Sequence, residues 1–369
     1  MSSLLKDIYS KDFYNNFSKI LVQVIPAFNK DKFLNLIFDK SWQSMELKDR
    51  MKKTSLVLRS FFPDNFEQTA EQIEKIITLL RERNVSESSL EYMFLPDYIE
   101  NYGIDHFDIS VKSFEFVTQF TSCEFAVRPF IIKYGEKMAK KMYQWSLNEN
   151  HHVRRLASEG SRPRLPWAIG LPEFKKNPGP ILPILESLKD DPSEYVRRSV
   201  ANNLNDIAKD NPDITISIAK KWNGQSKETD AIIKHGCRTL LKRGNSEILK
   251  HFGLTDNPKI KVTDYKILTP KVKIGDSLEF SFSLHNGCKK TQNVRIEYGL
   301  YYLWQNGQLS KKVFKISERQ LKPNEKTDIK RRQSFKLITT RTFYTGLHEL
   351  SIIINGQEKQ IAQFRLVDR

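Results

Sequence analysis

The chain has 369 residues, with 60 Lys and Arg against 44 Asp and Glu, a formal charge of +16 and an isoelectric point near 9.5. So basic a balance points to a polyanionic partner or an anionic membrane surface. Three scattered cysteines without a C-x-x-C pair exclude a disulfide framework and a zinc site, and 39% apolar residues over this length suffice for two cores.

The N-terminus, M-S-S-L-L-K-D-I-Y-S, meets a lysine and an aspartate before any signal-like apolar stretch develops, and the apolar run Ile20 to Ile25 is far too short to span a bilayer. A cytoplasmic protein with reduced thiols and no membrane partner is expected. Further on, Ile73, Ile76, Ile77 and Leu80 make the apolar stripe of an amphipathic helix, and Phe114, Val117 and Phe120 make another.

The segment His151 to Trp167 reads H-H-V-R-R-L-A-S-E-G-S-R-P-R-L-P-W and partly recurs 43 residues later as S-E-Y-V-R-R-S-V-A-N-N-L-N-D-I-A-K-D. Val153 matches Val196, and Arg154-Arg155 match Arg197-Arg198. A period of this size is the signature of paired-helix solenoids of the HEAT or armadillo kind, with roughly six helix pairs over residues 1–256. In the second copy Val196, Val200, Leu204 and Ile207 form the buried stripe. Asp191 is the expected N-cap, Pro192 the first helical residue and Glu194 the partner in a capping box. Arg198, Asn202 and Asp206 follow at intervals of four and predict a shared polar face, with Arg155 and Glu159 stacked in register with Arg198 and Asn202.

Such residues are often surface ion pairs of small energetic weight. The continuation Gly160-Ser161-Arg162-Pro163-Arg164-Leu165-Pro166-Trp167 argues for more, because a glycine and two prolines stop a helix and the segment still spends two arginines and a tryptophan. The adjacent His151 and His152 diverge by about 100° around a helix and have no companion ligands, so no metal is expected. No Walker loop or dinucleotide fingerprint is present, and no cofactor is expected.

From Asn257 onward the pattern changes. This third holds 22 Lys and Arg against 10 Asp and Glu, a net +12 of the total +16. Leu278, Phe280, Phe282 and Leu284 alternate with polar residues, as in a strand buried on one face. Runs at Val294 to Leu303, Val313 to Ile316, Ser334 to Ile338, Leu350 to Ile354 and Ile361 to Val367 bring the expected count to seven or eight strands. Asn286-Gly287, Asn306-Gly307 and Asn355-Gly356 predict tight hairpin turns. The reading is multidomain, α then β: an α-α superhelical solenoid of HEAT-like repeats over residues 1–256, followed by an antiparallel immunoglobulin-like β-sandwich over residues 257–369.

The motifs E-G-S-R-P-R-L-P-W at Glu159 to Trp167 and V-R-R-S-V-A-N-N-L-N-D-I-A-K-D at Val196 to Asp210 resemble the AlkC branch of the HEAT-like DNA alkylation repair glycosylases. The helical layout extends the resemblance over about the first 250 residues. The resemblance implies hydrolysis of the N-glycosidic bond of cationic methylated bases, notably 3-methyladenine and 3-methylcytosine, in base excision repair and without drawing the base into a deep pocket. It places the catalytic carboxylates at Glu159 and Asp206, the aromatic partner at Trp167, and a third acid at Glu124 in T-S-C-E-F-A-V-R-P-F.

The chemistry fits those residue types. A 3-methylated base already carries positive charge and leaves readily, so it needs little general-acid help. Charge then develops on the sugar, where carboxylates stabilise an oxocarbenium-like transition state and orient water. Trp167 suits a cation–π contact with the base, although a buried structural tryptophan is an alternative. Arg154, Arg155, Arg162, Arg164, Arg197 and Arg198 suit phosphates flanking the lesion, and Lys289 and Lys290 give the β-domain a contact of its own, unless its charge serves solubility alone. A monofunctional enzyme, acting as a monomer on alkylated double-stranded DNA, is expected. The competing classes are a non-catalytic HEAT-repeat scaffold or nucleic-acid-binding protein, and an RNA-binding or membrane-surface protein inferred from charge alone.

Overall fold

A computed structural model describes residues 4–87, 89–338 and 341–368. Helices come first: α1 (Lys11–Val24), α2 (Lys30–Ile37), α3 (Leu47–Leu58), α4 (Phe66–Glu82), α5 (Phe94–Tyr102), α6 (Phe107–Val117), α7 (Val127–Tyr134), α8 (Glu136–Ser146), α9 (His151–Gly160), α10 (Pro172–Lys176), α11 (Leu182–Leu188), α12 (Glu194–Asp210), α13 (Pro212–Trp222), α14 (Lys227–Gly236), α15 (Arg238–Lys242) and α16 (Ser246–His251). Among the described residues, none is long and apolar enough to cross a membrane. The chain forms two compact units, one running to Thr215 and including Trp222–Gly236, the other made of Ile216–Lys221 and everything from Cys237 on.

In the first unit α9 packs between α8 and α12, and α12 packs against α14. The predicted stripe of α12 is buried: Val196, Val200, Leu204 and Ile207 are all at most 1% exposed. Gly160 closes α9 where it meets α7, and a Cβ there would lie 2.7 Å from Val127 Cγ2, so the close approach requires glycine.

The 43-residue period is written into the hydrogen bonds as well. Arg154 Nη1 donates to the carbonyls of Asn148 (3.0 Å) and Glu149 (2.7 Å), and Arg197 Nη1 donates to those of Asp191 (2.6 Å) and Pro192 (3.0 Å). Each guanidinium folds back on the turn before its own helix. The start of α12 differs from expectation: its N-cap is Ser193, and Asp191 lies outside the helix. Asp191 Oδ1 accepts from the Ser193 amide at 2.8 Å, and its carboxylate receives Arg154 Nε (2.6 Å) and Nη2 (3.0 Å), so its oxygens are committed to the turn and to the neighbouring repeat.

In the second unit β1 (Ile260–Ile267), β3 (Ser277–Asn286) and β6 (Lys326–Ser334) form a three-stranded sheet in the order β1-β3-β6. The strands β2 (Lys271–Lys273), β8 (Gln357–Val367), β7 (Gly346–Ile354), β4 (Gln292–Leu303) and β5 (Leu309–Leu321) form a five-stranded sheet in that order. Pairing is antiparallel except between β2 and β8. Leu278, Phe280, Phe282 and Leu284 from one sheet and Ile296, Leu300, Leu350 and Phe364 from the other share one core.

Asn355 (φ 46°) and Gly356 (φ 79°) make the expected two-residue hairpin between Ile354 and Gln357. Asn286-Gly287 does not make one. Asn286 is fully buried, its Nδ2 donating to the carbonyls of Leu321 and Lys322 (2.9 Å each), and it pins the end of β3 to the end of β5. The run Ser334 to Ile338 is also not a strand. The strand is the charged segment ending at Ser334, which as a sheet edge buries only Ile329 well.

The last helices belong with the strands. A Cβ on Gly244 would meet Gly356 O at 3.0 Å, Asn355 Nδ2 donates to Thr255 O at 2.9 Å, and Lys359 pairs with Asp256 at 2.7 Å.

Candidate active site

The three candidate acids come from three places: Glu124 from the turn before α7, Glu159 from the end of α9 and Asp206 from mid-α12. Arginines bridge them in sequence. Arg155 Nη1 pairs closely with Glu124, and its Nη2 lies 3.7 Å from Glu159 Oε1. Arg162 Nη1 donates to Glu159 Oε1 at 2.6 Å and its Nε to Asp206 Oδ2 at 2.8 Å. Lys209 Nζ donates to Asp206 Oδ1 at 2.8 Å. The result is a chain of alternating charge, Glu124, Arg155, Glu159, Arg162, Asp206, Lys209.

Burial is graded along it. The Glu124 side chain is 16% exposed, that of Glu159 7% and that of Asp206 1%, so Glu124 is the most open of the three. A cavity of about 210 Å³ borders Glu124 and is lined also by Ser122, His152, Arg155 and Tyr195. Burial opposes the charge on Arg155, but Glu124 and Glu159 outweigh it and raise the pKa. Burial likewise opposes Arg162, and Glu159 and Asp206 raise it. These guanidiniums stay charged at any working pH. Burying so many ions is weakly favourable at best, which is a physical reason to look for function here.

The expected shared face of Arg198, Asn202 and Asp206 is not formed. Each step of four residues turns about 40° around a helix. Arg198 is exposed, Asn202 Oδ1 lies 3.1 Å from His235 Nε2 on α14, and Asp206 has rotated into the interior.

Trp167 is 65% exposed and has φ of 65°, in the left-handed region that costs a bulky residue energy. The buried structural alternative for this tryptophan is therefore ruled out. Two residues absent from the sequence-based candidates fix its loop. Lys48 of α3 donates to the Trp167 carbonyl at 2.6 Å and stands 5.1 Å over the ring of Phe125, beside Glu124. Arg128 of α7, wholly buried, donates from Nε to Ile169 O (2.6 Å) and from Nη1 to Gly160 O (2.9 Å) and Arg162 O (2.8 Å). Burial first, and Arg162 second, push the Arg128 pKa down to about 10. Arg128 lies in the same ten residues as Glu124, which was its only sequence signal; Lys48 had none.

The other arginines divide. Arg154 and Arg197, expected at phosphates, are committed to their own turns as described, and Arg155 and Arg162 to the acids. Arg164 makes a two-bond pair with Asp210 at 2.7 and 2.5 Å near the surface. Of the six, Arg197 and Arg198 form no ion pair among the described residues; Arg197 is bonded to its turn, whereas Arg198 is exposed and lines an open groove of about 440 Å³ with Lys227 and His235 between α12 and α14. Lys289 and Lys290 are exposed in the loop after β3. Among the described residues no group of three or more His, Cys, Asp or Glu is placed to hold a metal ion, and His152 faces Glu87 at 3.5 Å.

The DNA alkylation repair enzyme family model matches residues 50–240, and a second model, described as the C-terminal Ig-like domain of the uncharacterised protein YhaZ, matches residues 261–368. Protein YhaZ of Bacillus subtilis (strain 168) is 42% identical over 362 residues, which is 98% of this chain and 99% of that protein. The structure of Pseudomonas fluorescens alkylpurine DNA glycosylase AlkC, bound to DNA containing an abasic site analog, matches with a TM-score of 0.92 at 33% identity over 99% of this chain and 100% of that one.

Proposed function

This chain belongs to the DNA alkylation repair enzyme family, and from that premise we propose that it is a DNA glycosylase that hydrolyses the N-glycosidic bond of 3-methyladenine and 3-methylcytosine in double-stranded DNA. The observation that carries the reading is the linked set Glu124, Glu159 and Asp206, with an exposed tryptophan five residues after the Arg162 that bridges two of them. The carboxylates stabilise positive charge developing on the deoxyribose and one of them orients the attacking water. The arginines between them hold the acids in place, so little reorganisation is needed as the bond breaks. Trp167 lies against the cationic base or its sugar. The cavity at Glu124 is small and polar, and it supports a reaction in which the base is not drawn into a deep pocket.

Lys209, the lysine nearest the acids, has its ammonium engaged by Asp206 and does not present a free amine, which supports a monofunctional enzyme. The protein acts as a monomer, and residues 257–369 hold DNA through their positive charge, with Lys289 and Lys290 as one contact. Incubation with methylated duplex DNA releases free 3-methyladenine and leaves an abasic site without a strand break. A protein that binds this DNA and releases no base is a scaffold instead.

Two variants probe the parts separately. Arg198→Ala weakens binding of damaged and undamaged duplex alike and reduces the slope of log affinity against log salt by about 0.9, the loss of one phosphate contact. Arg155→Ala leaves that slope unchanged, because its guanidinium is held by Glu124 and Glu159. Lys48→Met keeps the bulk and removes the bond to the Trp167 carbonyl. It slows single-turnover excision about tenfold with DNA affinity within about twofold of wild type. Equal rates for wild type and this variant discount a role for the clamp.

A further inference from the structure

The β-sandwich carries a second candidate site, built from side chains that take no part in the reading above. The β4–β5 connection, 304–308, is a tight turn: the Trp304 amide donates to Gln308 O, and the Gly307 amide (φ 79°) to Trp304 O, both at 2.9 Å. It presents Trp304 with 56% of its surface exposed on a fixed backbone. Below it lies a cavity of about 330 Å³ lined by Tyr302, Trp304, Ser310, Lys312, Arg341 and Tyr344. That volume is at the lower end for small-ligand sites.

The cavity is unbalanced in charge. The Arg341 guanidinium lies over the Tyr302 ring at 4.0 Å, which fixes its plane. Among the described residues neither Arg341 nor Lys312 forms an ion pair with a carboxylate. Burial, then Arg341, then Lys242 of α15 lower the Lys312 pKa, so these cations repel one another with no anion between them. An anion entering the cavity relieves that repulsion and gains charge-assisted hydrogen bonds.

We propose that this cavity binds one unpaired nucleotide of single-stranded DNA, with the phosphate between Lys312 and Arg341 and the base stacked on Trp304. The cations call for a phosphate, and the flat exposed indole calls for a flat ligand face. In an intact duplex both faces of each base are covered by neighbours, so an indole stacks fully only on a base that is unstacked. The proposal rests on the reading of this chain as a protein that acts on DNA, and it adds a strand state that the reading does not require.

The test uses the full chain and fluorescein-labelled octathymidylate, followed by anisotropy at 0.15 M salt, beside an intact duplex of equal length. Trp304→Ala weakens binding of the single strand about tenfold and of the duplex less than twofold, and Trp304→Phe restores most of the loss. Lys312→Ala lowers the salt slope for the single strand by about 0.7, and Trp304→Ala leaves that slope unchanged. Equal single-strand affinity in wild type and Trp304→Ala overturns the proposal. So does an equal loss for single strand and duplex, which would mark a backbone contact. Inorganic phosphate at millimolar concentration competes weakly; if it displaces the strand fully, the site takes an anion only and the proposal fails. Base release measured on the same preparations keeps the two claims apart, since a protein that binds octathymidylate through Trp304 but releases no base contradicts the glycosylase reading and leaves this site standing.

Discussion

Asp206→Asn and Glu159→Gln each lower single-turnover excision of 3-methyladenine by about two to three orders of magnitude, the scale for removing one preorganised electrostatic group from a transition state. Both changes keep size and shape and remove only charge. Asp206 is fully buried with Arg162 on one oxygen and Lys209 on the other, so the amide preserves one acceptor and disturbs the second. Some stability is lost, and circular dichroism at the assay temperature must show the fold intact. DNA affinity should change little, because neutralising a buried carboxylate removes no cation that could contact a phosphate. Wild-type excision rates in both folded variants would reduce the acids to structural ion-pair members.

Arg162→Met is expected to have the largest effect on stability. Arg162 is 7% exposed and its guanidinium bridges Glu159 and Asp206, and methionine offers neither carboxylate a donor. Breaking a buried pair by removing one partner costs about 3–5 kcal/mol. For a unit of this size that corresponds to a fall in melting temperature of roughly 10 °C. Arg164→Met serves as the control. Its pair with Asp210 lies near the surface, with 41% of the arginine side chain exposed, so its loss costs at most about 1 kcal/mol. Equal melting temperatures for the two variants would mean that the Arg162 bridge is not formed in solution.

The helical half was legible because its signal is periodic: the stripe of α12 and the 43-residue repeat follow from apolar spacing. What spacing leaves open is which polar residue serves the fold. Arg154 and Arg197 looked like candidates for phosphate and are turn fasteners, because a guanidinium beside an exposed helix start finds carbonyls nearer than any ligand. Asn202 has the same four-residue spacing as Asp206, yet it bonds to α14 because the helix surface drifts with each step. Strand β6 escaped notice since an edge strand tolerates charge, and K-T-D-I-K-R-R-Q-S has little alternation to read. At the site, the acids and Trp167 sit in local motifs, whereas Lys48 reaches Trp167 across 119 residues and only the folded chain brings them together. The left-handed backbone at Trp167 has no marker either, since tryptophan rarely adopts it unless its surroundings impose it.

In the proposed reaction the acids work on a base that is already a cation, with no general acid required. His152 is one imidazole near Glu124, and burial, then His151, lower its pKa, so it is neutral at working pH and a poor proton donor. The decisive measurement is single-turnover base release from matched duplexes carrying either 3-methyladenine, a cation, or hypoxanthine, a neutral base that needs protonation to leave. Release of 3-methyladenine is expected, with release of hypoxanthine at least about a thousandfold slower, equivalent to roughly 4 kcal/mol of missing leaving-group assistance. Comparable rates for the two bases would contradict it.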